Sequence, residues 1–204
     1  MNLPSSAHRV ITNRLEMRPY READAEARRQ LVDANDAWLR PWIPWMREEP
    51  MTLEDTRLKL REHAAAFLSR ELFRYIILER ESGDMLGEAG LYPRIGPGGL
   101  EAGYLLGQAY AGAGFATEAA SAMVRIAFEV EKTGRVELHC DPANTPSVRV
   151  AQRLEFTLRE TLPRDEEHGK PELMIWTLGV GDYSRSPAHG VPVEAYTAGG
   201  QRLL

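Results

Sequence analysis

With 204 residues, 43% of them hydrophobic and 27% charged, the chain is expected to form one globular domain and not two domains or a disordered segment. Its net charge of -5, without a basic run, excludes nucleic acid as the expected partner, because binding a polyphosphate needs a basic patch. Its apolar runs are too short to span a bilayer, so no membrane protein is expected. A single cysteine, Cys140, and an N-terminus without a signal-peptide pattern predict a cytoplasmic location.

The first half of the chain predicts a strand, two helices and a hairpin. Alternating apolar residues indicate a half-buried strand at 14–20. Strong helix formers with few apolar anchors then predict a surface helix at 21–35, in which Arg28 and Arg29 occupy solvated positions. The remaining elements predicted here are a helix over 52–68, started by Thr52 and Asp55, and a hairpin of strands 72–80 and 85–93.

The second half adds strands and helices to the same sheet. A strand at 98–107 is expected to pair antiparallel with the strand before it, and apolar spacing over 116–132 predicts the clearest helix of the chain. Asn144 is a good N-cap for a shorter helix. Further strands are predicted at 135–140, 156–163 and 172–178. The expected fold is a mixed α/β domain with one central, mostly antiparallel sheet and flanking helices.

The C-terminal residues 179–204 are rich in Gly, Ser, Pro and Ala and show no periodicity. They predict a tail that is extended, mobile or packed across a neighbour, so that the domain itself spans residues 1–178. A homodimer is compatible with such a tail.

The stretch QAYAGAGFATEAA, residues 108–120, places two glycines in a turn before a helix. A P-loop needs Lys and Ser or Thr after its last glycine, where Phe115 and Ala116 stand. A dinucleotide fingerprint needs Gly or Ala where Thr117 stands, which leaves a dinucleotide-binding oxidoreductase as the weakest reading. The free N–H groups at a helix start still favour an anion such as a diphosphate, and an unliganded helix start is the alternative.

Two longer stretches carry a family resemblance. GYLLGQAYAGAGFATEA, from Gly103, and RVELHCDPANTPSVRVAQRLEF, from Arg135, resemble the Gcn5-related N-acetyltransferases (GNAT), of the type that acetylates ribosomal-protein N-termini (RimJ/RimL-like). The resemblance runs from about Arg14 to Leu178. It implies two central strands that begin side by side and splay apart around acetyl-coenzyme A (acetyl-CoA). It also implies that the protein transfers the acetyl group of this cofactor to a protein N-terminal α-amine or to a small-molecule amine. A domain that binds acetyl-CoA for regulation, without turnover, is the alternative.

The resemblance also implies which residues hold the cofactor. Its pantetheine arm would pair with the strand edge at 103–106, and its pyrophosphate would meet backbone N–H groups of residues 110–116. The family's usual Gln or Arg before the glycines is replaced by Ala109. The residues expected to contact the cofactor are Gly103, Tyr104, Leu105, Leu106, Tyr110, Ala111, Gly112, Ala113, Gly114, Phe115, Ala116, Thr117, Asn144 and Ser147.

The chemistry of the acceptor sets the demand for a base. At pH 7 an α-amine of pKa about 8 costs roughly 1.4 kcal/mol to deprotonate, against about 4.6 kcal/mol for a lysine. Only a modest general base is therefore needed, for which Glu101 is preferred and Glu88 is the second candidate. Ser147 is the candidate to protonate the leaving thiolate, and the N–H of Leu105 or Leu106 would meet the oxyanion. Glu101 can equally be a polar residue at a strand end, and Ser147 a plain first-turn hydroxyl.

The acceptor end of the cleft is predicted from aromatic and acidic residues. Trp38, Trp42 and Trp45 lie in the region that covers the acceptor in this family, and together with Glu88 they are the predicted substrate-binding residues. The tryptophans can equally be core anchors. Acidic residues at 48–49 and 165–167 either attract a cationic acceptor or are solvated loop charges.

Two further chemistries are not expected. His139 and Cys140 are adjacent in a strand and point to opposite faces, so they cannot form a nucleophilic pair, and Cys140 is predicted to be a buried structural residue. The histidines show no metal-ligand spacing, so no catalytic metal is predicted.

Overall fold

Nine strands form one mixed sheet in the computed structural model, which describes residues 6–163 and 172–204. The strands are β1 (Arg9–Ile11), β2 (Leu15–Pro19), β3 (Phe73–Glu79), β4 (Met85–Tyr92), β5 (Gly99–Leu106), β6 (Arg135–Cys140), β7 (Thr157–Pro163), β8 (Glu172–Gly179) and β9 (Glu194–Tyr196). Their order is β7-β8-β6-β5-β4-β3-β2-β1-β9. In this sheet β5 and β6 are parallel and the other neighbours are antiparallel, which confirms the predicted fold class.

Helices cover both faces of the sheet. They are α1 (Ala25–Ala34), α2 (Asp36–Leu39), α3 (Leu53–Leu68), α4 (Phe115–Arg125), α5 (Thr145–Arg153), α6 (Val180–Tyr183) and α7 (Pro187–Gly190). Two starts follow the sequence signals: the Thr52 hydroxyl accepts from the Asp55 N–H at 3.1 Å, and Asn144 Oδ1 accepts from the Ser147 N–H at 3.2 Å. Each side chain satisfies a helix N–H that has no partner within the helix.

The register assigns side chains to the two faces of the sheet, because successive strand residues point to opposite sides. Glu88 lies opposite Leu105, and Glu101 lies opposite Glu137, so these four side chains share one face. Leu105 packs in a cluster with residues of α1, which places α1 on that face. The apolar helix α4 packs against the other face, where the largest core cluster lies. The polar face is therefore the one on which a chemical site can form.

The central strands β5 and β6 separate along their length. They are paired only from Gly99 opposite Arg135 to Glu101 opposite Glu137. Beyond Glu101 no strand of residues 6–163 or 172–204 pairs with that edge of β5, so a gap opens in the middle of the sheet. This splayed arrangement is the one that the resemblance implied.

The C-terminal residues belong to the fold, which corrects the predicted tail. Strand β9 pairs antiparallel with β1, with Ala195 opposite Val10, and both side chains are fully buried. Between β8 and β9 the chain forms α6 and α7, and Tyr183 of α6 stacks on Phe128. Three-residue strands carry too little periodicity to be recognised, and their pairing depends on tertiary contact. The homodimer stays a prediction, and because residues 179–204 pack on their own domain they give it no support.

Helix α1 is not the solvated surface helix that was predicted. Arg28 is fully buried, Arg29 is 8% exposed, and Arg74 of β3 has a buried Nε atom. The spacing of arginines in a sequence does not show whether acidic partners lie opposite them. Buried arginines of this kind need such partners, because an unpaired charge in the interior is costly.

Candidate active site

Two adjoining cavities open where β5 and β6 separate. One, the charged cavity, has a volume of about 420 Å³ and lies over the polar face of the sheet. The other, the glycine-turn cavity, has a volume of about 540 Å³ and reaches the start of α4. The residues that line both are Trp42, Ile43, Tyr104, Leu105, Asn144 and Ser147. The cavities therefore meet at the end of β5 and the start of α5.

The glycine turn presents backbone at the start of α4. Gly112 and Gly114 have φ of +82° and +86°, a conformation that glycine adopts without strain. Helix α4 begins directly after Gly114, so the N–H groups of its first turn have no partner within the helix. Arg14 fastens the turn from outside: its guanidinium donates to the Ala113 carbonyl at 2.9 Å and pairs with Glu118 at 2.7 Å. The exposed N–H groups and the helix dipole form a site suited to an anion.

Most of the predicted cofactor residues line the glycine-turn cavity. They are Tyr104, Leu105, Leu106, Tyr110, Ala111, Gly112, Gly114, Ala116, Thr117, Asn144 and Ser147. Three others lie elsewhere: Gly103 lines the charged cavity, Ala113 is turned toward Arg14, and Phe115 is buried under the Arg14 guanidinium at 4.2 Å. The structure thus brings eleven of the fourteen predicted cofactor residues together in one cavity and places the other three outside it.

The register decides which backbone groups of β5 face the gap. The Gly107 N–H donates to the Leu86 carbonyl of β4 at 2.9 Å. In an antiparallel pair the direction of these groups alternates, so Leu105 also bonds toward β4, whereas Tyr104 and Leu106 present theirs to the gap. The prediction of an oxyanion contact at Leu105 is therefore wrong, and the N–H of Leu106 remains available for that role.

The three tryptophans divide between the cavities. Trp38 lines the glycine-turn cavity, and its indole N–H donates to the Leu106 carbonyl at 3.2 Å. Trp42 lines both cavities, and Trp45 lines the charged cavity with its ring 4.9 Å from the Arg28 guanidinium. An acceptor wall is therefore compatible with Trp42 and Trp45, and Trp38 lies on the cofactor side.

A pair of hydroxyls lies at the junction of the cavities. Tyr104 and Ser147 both line the two cavities, and burial raises the pKa of the tyrosine above its usual value. Ser147 is held in place because its N–H is bonded to Asn144. The junction thus offers a proton donor that stays protonated at neutral pH, next to the predicted thiolate position.

Two carboxylates and a histidine from neighbouring strands form a cluster in which Glu101 and His139 line the charged cavity and Glu137 contacts His139. Glu101, which is 7% exposed, accepts from Arg94 through both oxygens, at 2.6 and 2.7 Å. His139 lies between Glu101 and Glu137, with Nδ1 3.4 Å from one and Nε2 2.8 Å from the other. Burial would raise the pKa of Glu137, but hydrogen bonds from His139 and Arg135 outweigh it and leave that pKa below its usual value.

Glu88, the second predicted base, is held by α1. Its carboxylate accepts from Arg28 Nε at 3.0 Å. Burial opposes its ionisation, yet the nearby charges of Arg28 and Arg74 leave the pKa of Glu88 below its usual value. Glu88 therefore lines the charged cavity as an ion-paired carboxylate.

The acidic loop residues have different surroundings. Glu49 is 7% exposed and is ion paired to Arg28 at 3.4 Å and also to Arg29, so it is not a solvated loop charge. Glu48 lines the charged cavity and is paired with Lys59 at 2.6 Å. The acidic residues 165–167 lie outside the described residues.

Cys140 also lines the charged cavity and is only partly buried, so the prediction of a buried structural cysteine is corrected. Its burial is nonetheless enough to raise the pKa of its thiol to about 11. The thiol is therefore protonated at neutral pH, and a neutral thiol is a poor nucleophile.

Four titratable residues at this cavity or in contact with its lining were not predicted from the sequence. Arg94, Arg74 and Glu137 carry no motif, and His139 was weighed only as a partner for Cys140. The period-2 spacing of Glu137 and His139 in a predicted strand was the one available signal, because it places both side chains on one face. Among the described residues no group of three or more His, Cys, Asp or Glu is arranged to hold a metal ion, and no helix is long and apolar enough to cross a membrane.

A sheet split around an anion-binding turn, with titratable side chains beside the gap, defines a class of protein that holds a nucleotide-bearing cofactor next to an acceptor. A family model described as acetyltransferase (GNAT) domain matches residues 14–157. The chain therefore belongs to the GNAT acetyltransferases, which confirms the predicted family and acetyl-CoA as the cofactor of an N-acetyltransferase.

Curated relatives agree with this assignment. Uncharacterized N-acetyltransferase p20 of Bacillus licheniformis is 33% identical over 102 residues, which make up 50% of this chain and 57% of that protein. The matched part is thus less than two thirds of p20. Probable N-acetyltransferase YjcK of Bacillus subtilis is 27% identical over 143 residues, or 69% of this chain and 78% of that protein.

Solved structures share the fold. RimL, a ribosomal L7/L12 α-N-protein acetyltransferase solved with coenzyme A, has a TM-score of 0.75 at 22% identity, covering 83% of this chain and 96% of that one. Mycobacterium smegmatis RimJ has a TM-score of 0.76 at 20% identity, covering 91% and 92%. The microcin C7 self-immunity acetyltransferase MccE has a TM-score of 0.75 at 16% identity, covering 82% and 93%.

Proposed function

We propose that this protein acetylates the N-terminal α-amine of a protein or peptide, with small-molecule amines as the second acceptor class. The observation that carries the proposal is the junction of the two cavities, where the charged cavity brings Glu101 and His139 next to the cofactor side. RimL is named as an α-N-protein acetyltransferase, which supports the first acceptor class. MccE, a self-immunity enzyme, is the reason for retaining the second.

The residues of the glycine-turn cavity fit acetyl-CoA. At Gly112 an added Cβ would meet no protein atom within 4 Å, so the space beside that backbone is open to a ligand. The first turn of α4 would hold the diphosphate, and the free backbone groups of Tyr104 and Leu106 would pair with the pantetheine amides. When bound, acetyl-CoA supplies an activated thioester that an amine can attack directly.

The charged cavity fits a cationic acceptor that must lose a proton. An ammonium group is attracted to the carboxylate of Glu101, and the walls of Trp42 and Trp45 can cover an apolar or backbone portion beside it. An α-amine needs about 3 kcal/mol less for deprotonation than a lysine side chain does. With its carboxylates already ion paired, this cavity is better suited to the less basic of the two amines.

The acceptor is tested by measuring coenzyme A release with matched peptides. One peptide has a free N-terminus and no lysine, and its partner has a blocked N-terminus and one lysine; polyamines and aminoglycosides complete the panel. We expect the free N-terminus to react fastest. Faster transfer to the blocked, lysine-containing peptide or to the small amines would overturn the α-amine proposal. Binding of acetyl-CoA without any release above hydrolysis would show a binding domain instead.

Ser147→Ala is expected to lower kcat by a factor of about three to ten, the usual value of one hydrogen bond. The effect is modest because a thiol of pKa about 8.5 departs readily as the thiolate, and because the Tyr104 hydroxyl remains. KM for acetyl-CoA is expected to change little. Steady-state kinetics at pH 7 tests this, with the exposed Ser184→Ala as the control. An unchanged kcat would remove Ser147 from the reaction.

A further inference from the structure

We propose that His139 accepts the proton of the acceptor amine, with Glu137 orienting its ring and Glu101 holding the ammonium charge. This inference rests on the proposed function and assigns the base within the same site. It replaces the simpler expectation that Glu101 is itself the base.

The positions of the three side chains carry the inference. Glu101 of β5 and Glu137 of β6 form the last paired position before the two strands separate. His139 of β6 lies just beyond that position. The register places all three on the polar face of the sheet. The side chain of His139 is 18% exposed and lines the charged cavity, so the ring borders the space that an acceptor would fill.

The contacts of the imidazole determine its tautomer. Nε2 lies 2.8 Å from a carboxylate oxygen of Glu137, and a carboxylate only accepts, so Nε2 must carry a hydrogen. When the ring is neutral, Nδ1 then has a free lone pair. It lies 3.4 Å from Glu101 Oε2, at the charged cavity. Two acceptors thus converge without a donor between them, and an ammonium N–H is the donor that satisfies both.

Glu101 is less suited to take the proton itself. Arg94 donates to both of its oxygens, and Arg94 is in turn stacked at 4.7 Å over the ring of Tyr92. Proton transfer to either oxygen of Glu101 would have to compete with a guanidinium N–H that already donates to it. The carboxylate still attracts a cation. The imidazole of His139 has its Nδ1 at the cavity, and histidine is the side chain most often used for general acid–base catalysis.

The charges around His139 come from residues on or next to the strands β5, β6 and β7. On β6, Arg135 pairs with Glu137 at 3.0 Å, and Asp141 follows the strand. Glu101 faces the ring from β5, and Arg94 lies behind Glu101. On β7, Arg159 lies 3.7 Å from Glu137.

The opposing strand β8 presents Ile175 beside His139, so it adds no charge there. Carboxylates therefore lie on both sides of the ring, where they can pair with the imidazolium that forms when the proton arrives.

The proton step is balanced without any further reactant. The N–H bond of the ammonium breaks and an Nδ1–H bond forms, which leaves a neutral amine with a free electron pair next to the thioester. The positive charge passes to the imidazolium, between Glu101 and Glu137. After the acetylated product leaves, the imidazolium returns its proton to water through the charged cavity.

The test compares His139→Asn with the wild type across pH 5 to 9, using a peptide with a free α-amine. General base catalysis contributes about a hundredfold or more, so kcat/KM at pH 7 is expected to fall by about that factor. The wild-type profile is expected to have an acidic limb that the variant lacks, because a general base must be unprotonated to accept the proton. In His139→Ala, added imidazole is expected to restore part of kcat.

Further measurements separate a proton-transfer role from a structural one. Acetyl-CoA affinity of His139→Asn is expected to match the wild type, and the exposed His189→Asn should behave as wild type throughout. An acceptor that is already neutral at pH 7, such as an aromatic amine, should lose much less rate than the α-amine does.

Two results would overturn the inference. In the first, the wild-type enzyme is active and His139→Asn has the same pH profile as the wild type. This result excludes His139 as the base and leaves the proposed function intact. The other is a wild-type enzyme without transfer to any amine, which removes both.

Discussion

Arg28→Met is expected to lower the free energy of unfolding by about 3–5 kcal/mol, the range for breaking one side of a buried ion pair. The Arg28 side chain is fully buried between Glu88 and Glu49, at 3.0 and 3.4 Å. Methionine has a similar length but no charge, so both carboxylates would lose a buried partner. The loss of stability comes from leaving the carboxylates of Glu88 and Glu49 buried without this partner, and not from the strength of the original ion pairs.

Urea unfolding at pH 7 measures this effect. The control is Arg61→Met, because Arg61 pairs with Glu22 at the surface, where both side chains are about half exposed, and such pairs contribute about 0–1 kcal/mol. The pKa of Glu88 is lowered in the folded protein, so its stabilisation is present above the ordinary carboxyl range and is lost as the pH falls. The difference between wild type and Arg28→Met should therefore shrink in acid. Equal losses in the two variants at pH 7 would contradict the prediction.

Gly112→Val is expected to raise KM for acetyl-CoA about tenfold, which corresponds to one lost hydrogen bond to a charged group. No protein atom lies within 4 Å of the added Cβ, so the side chain would extend into the open space beside the anion-binding backbone. A valine at φ of +82° also strains the folded chain by about 1–2 kcal/mol. Both effects are measurable, by steady-state kinetics and by thermal unfolding.

The matched control for this variant is Gly83→Val. Gly83 has φ of +79° in the turn between β3 and β4, and an added Cβ there also meets nothing within 4 Å. The two variants share the backbone strain and differ in their distance from the glycine-turn cavity. Similar losses of stability with a raised KM only in Gly112→Val are expected. If KM for acetyl-CoA rose in both variants, backbone strain alone would explain the effect of Gly112→Val.

The cofactor side of the site was accessible from the sequence because it is built from contiguous backbone. The glycine turn, the start of α4 and the Asn144 cap follow from local signals, and eleven of the predicted residues line one cavity. The exceptions have a physical reason. Phe115 and Ala113 contact Arg14, which lies in the loop before β2. No local sequence pattern predicts this long-range contact.

The acceptor side could not be predicted in the same way. Arg28, Glu49 and Glu88 come from three separate segments, and only the folded sheet brings them together. Their charges resemble those of solvated residues until their partners are known. The edge strand β9 was missed for the same reason, because its three residues gain their stability from pairing with β1. Long-range pairing was therefore the missing information in both cases.

The hydrogen bond from Trp38 to the Leu106 carbonyl has a consequence for how this chain can diverge. It leaves the Tyr104 backbone and the Leu106 N–H as the groups of the β5 edge that can meet a cofactor arm. Main-chain groups are the same whatever side chain they carry, so most residues along the turn and the strand edge are free to drift while binding persists. The replacement at Ala109 changes a side chain and leaves these backbone groups in place.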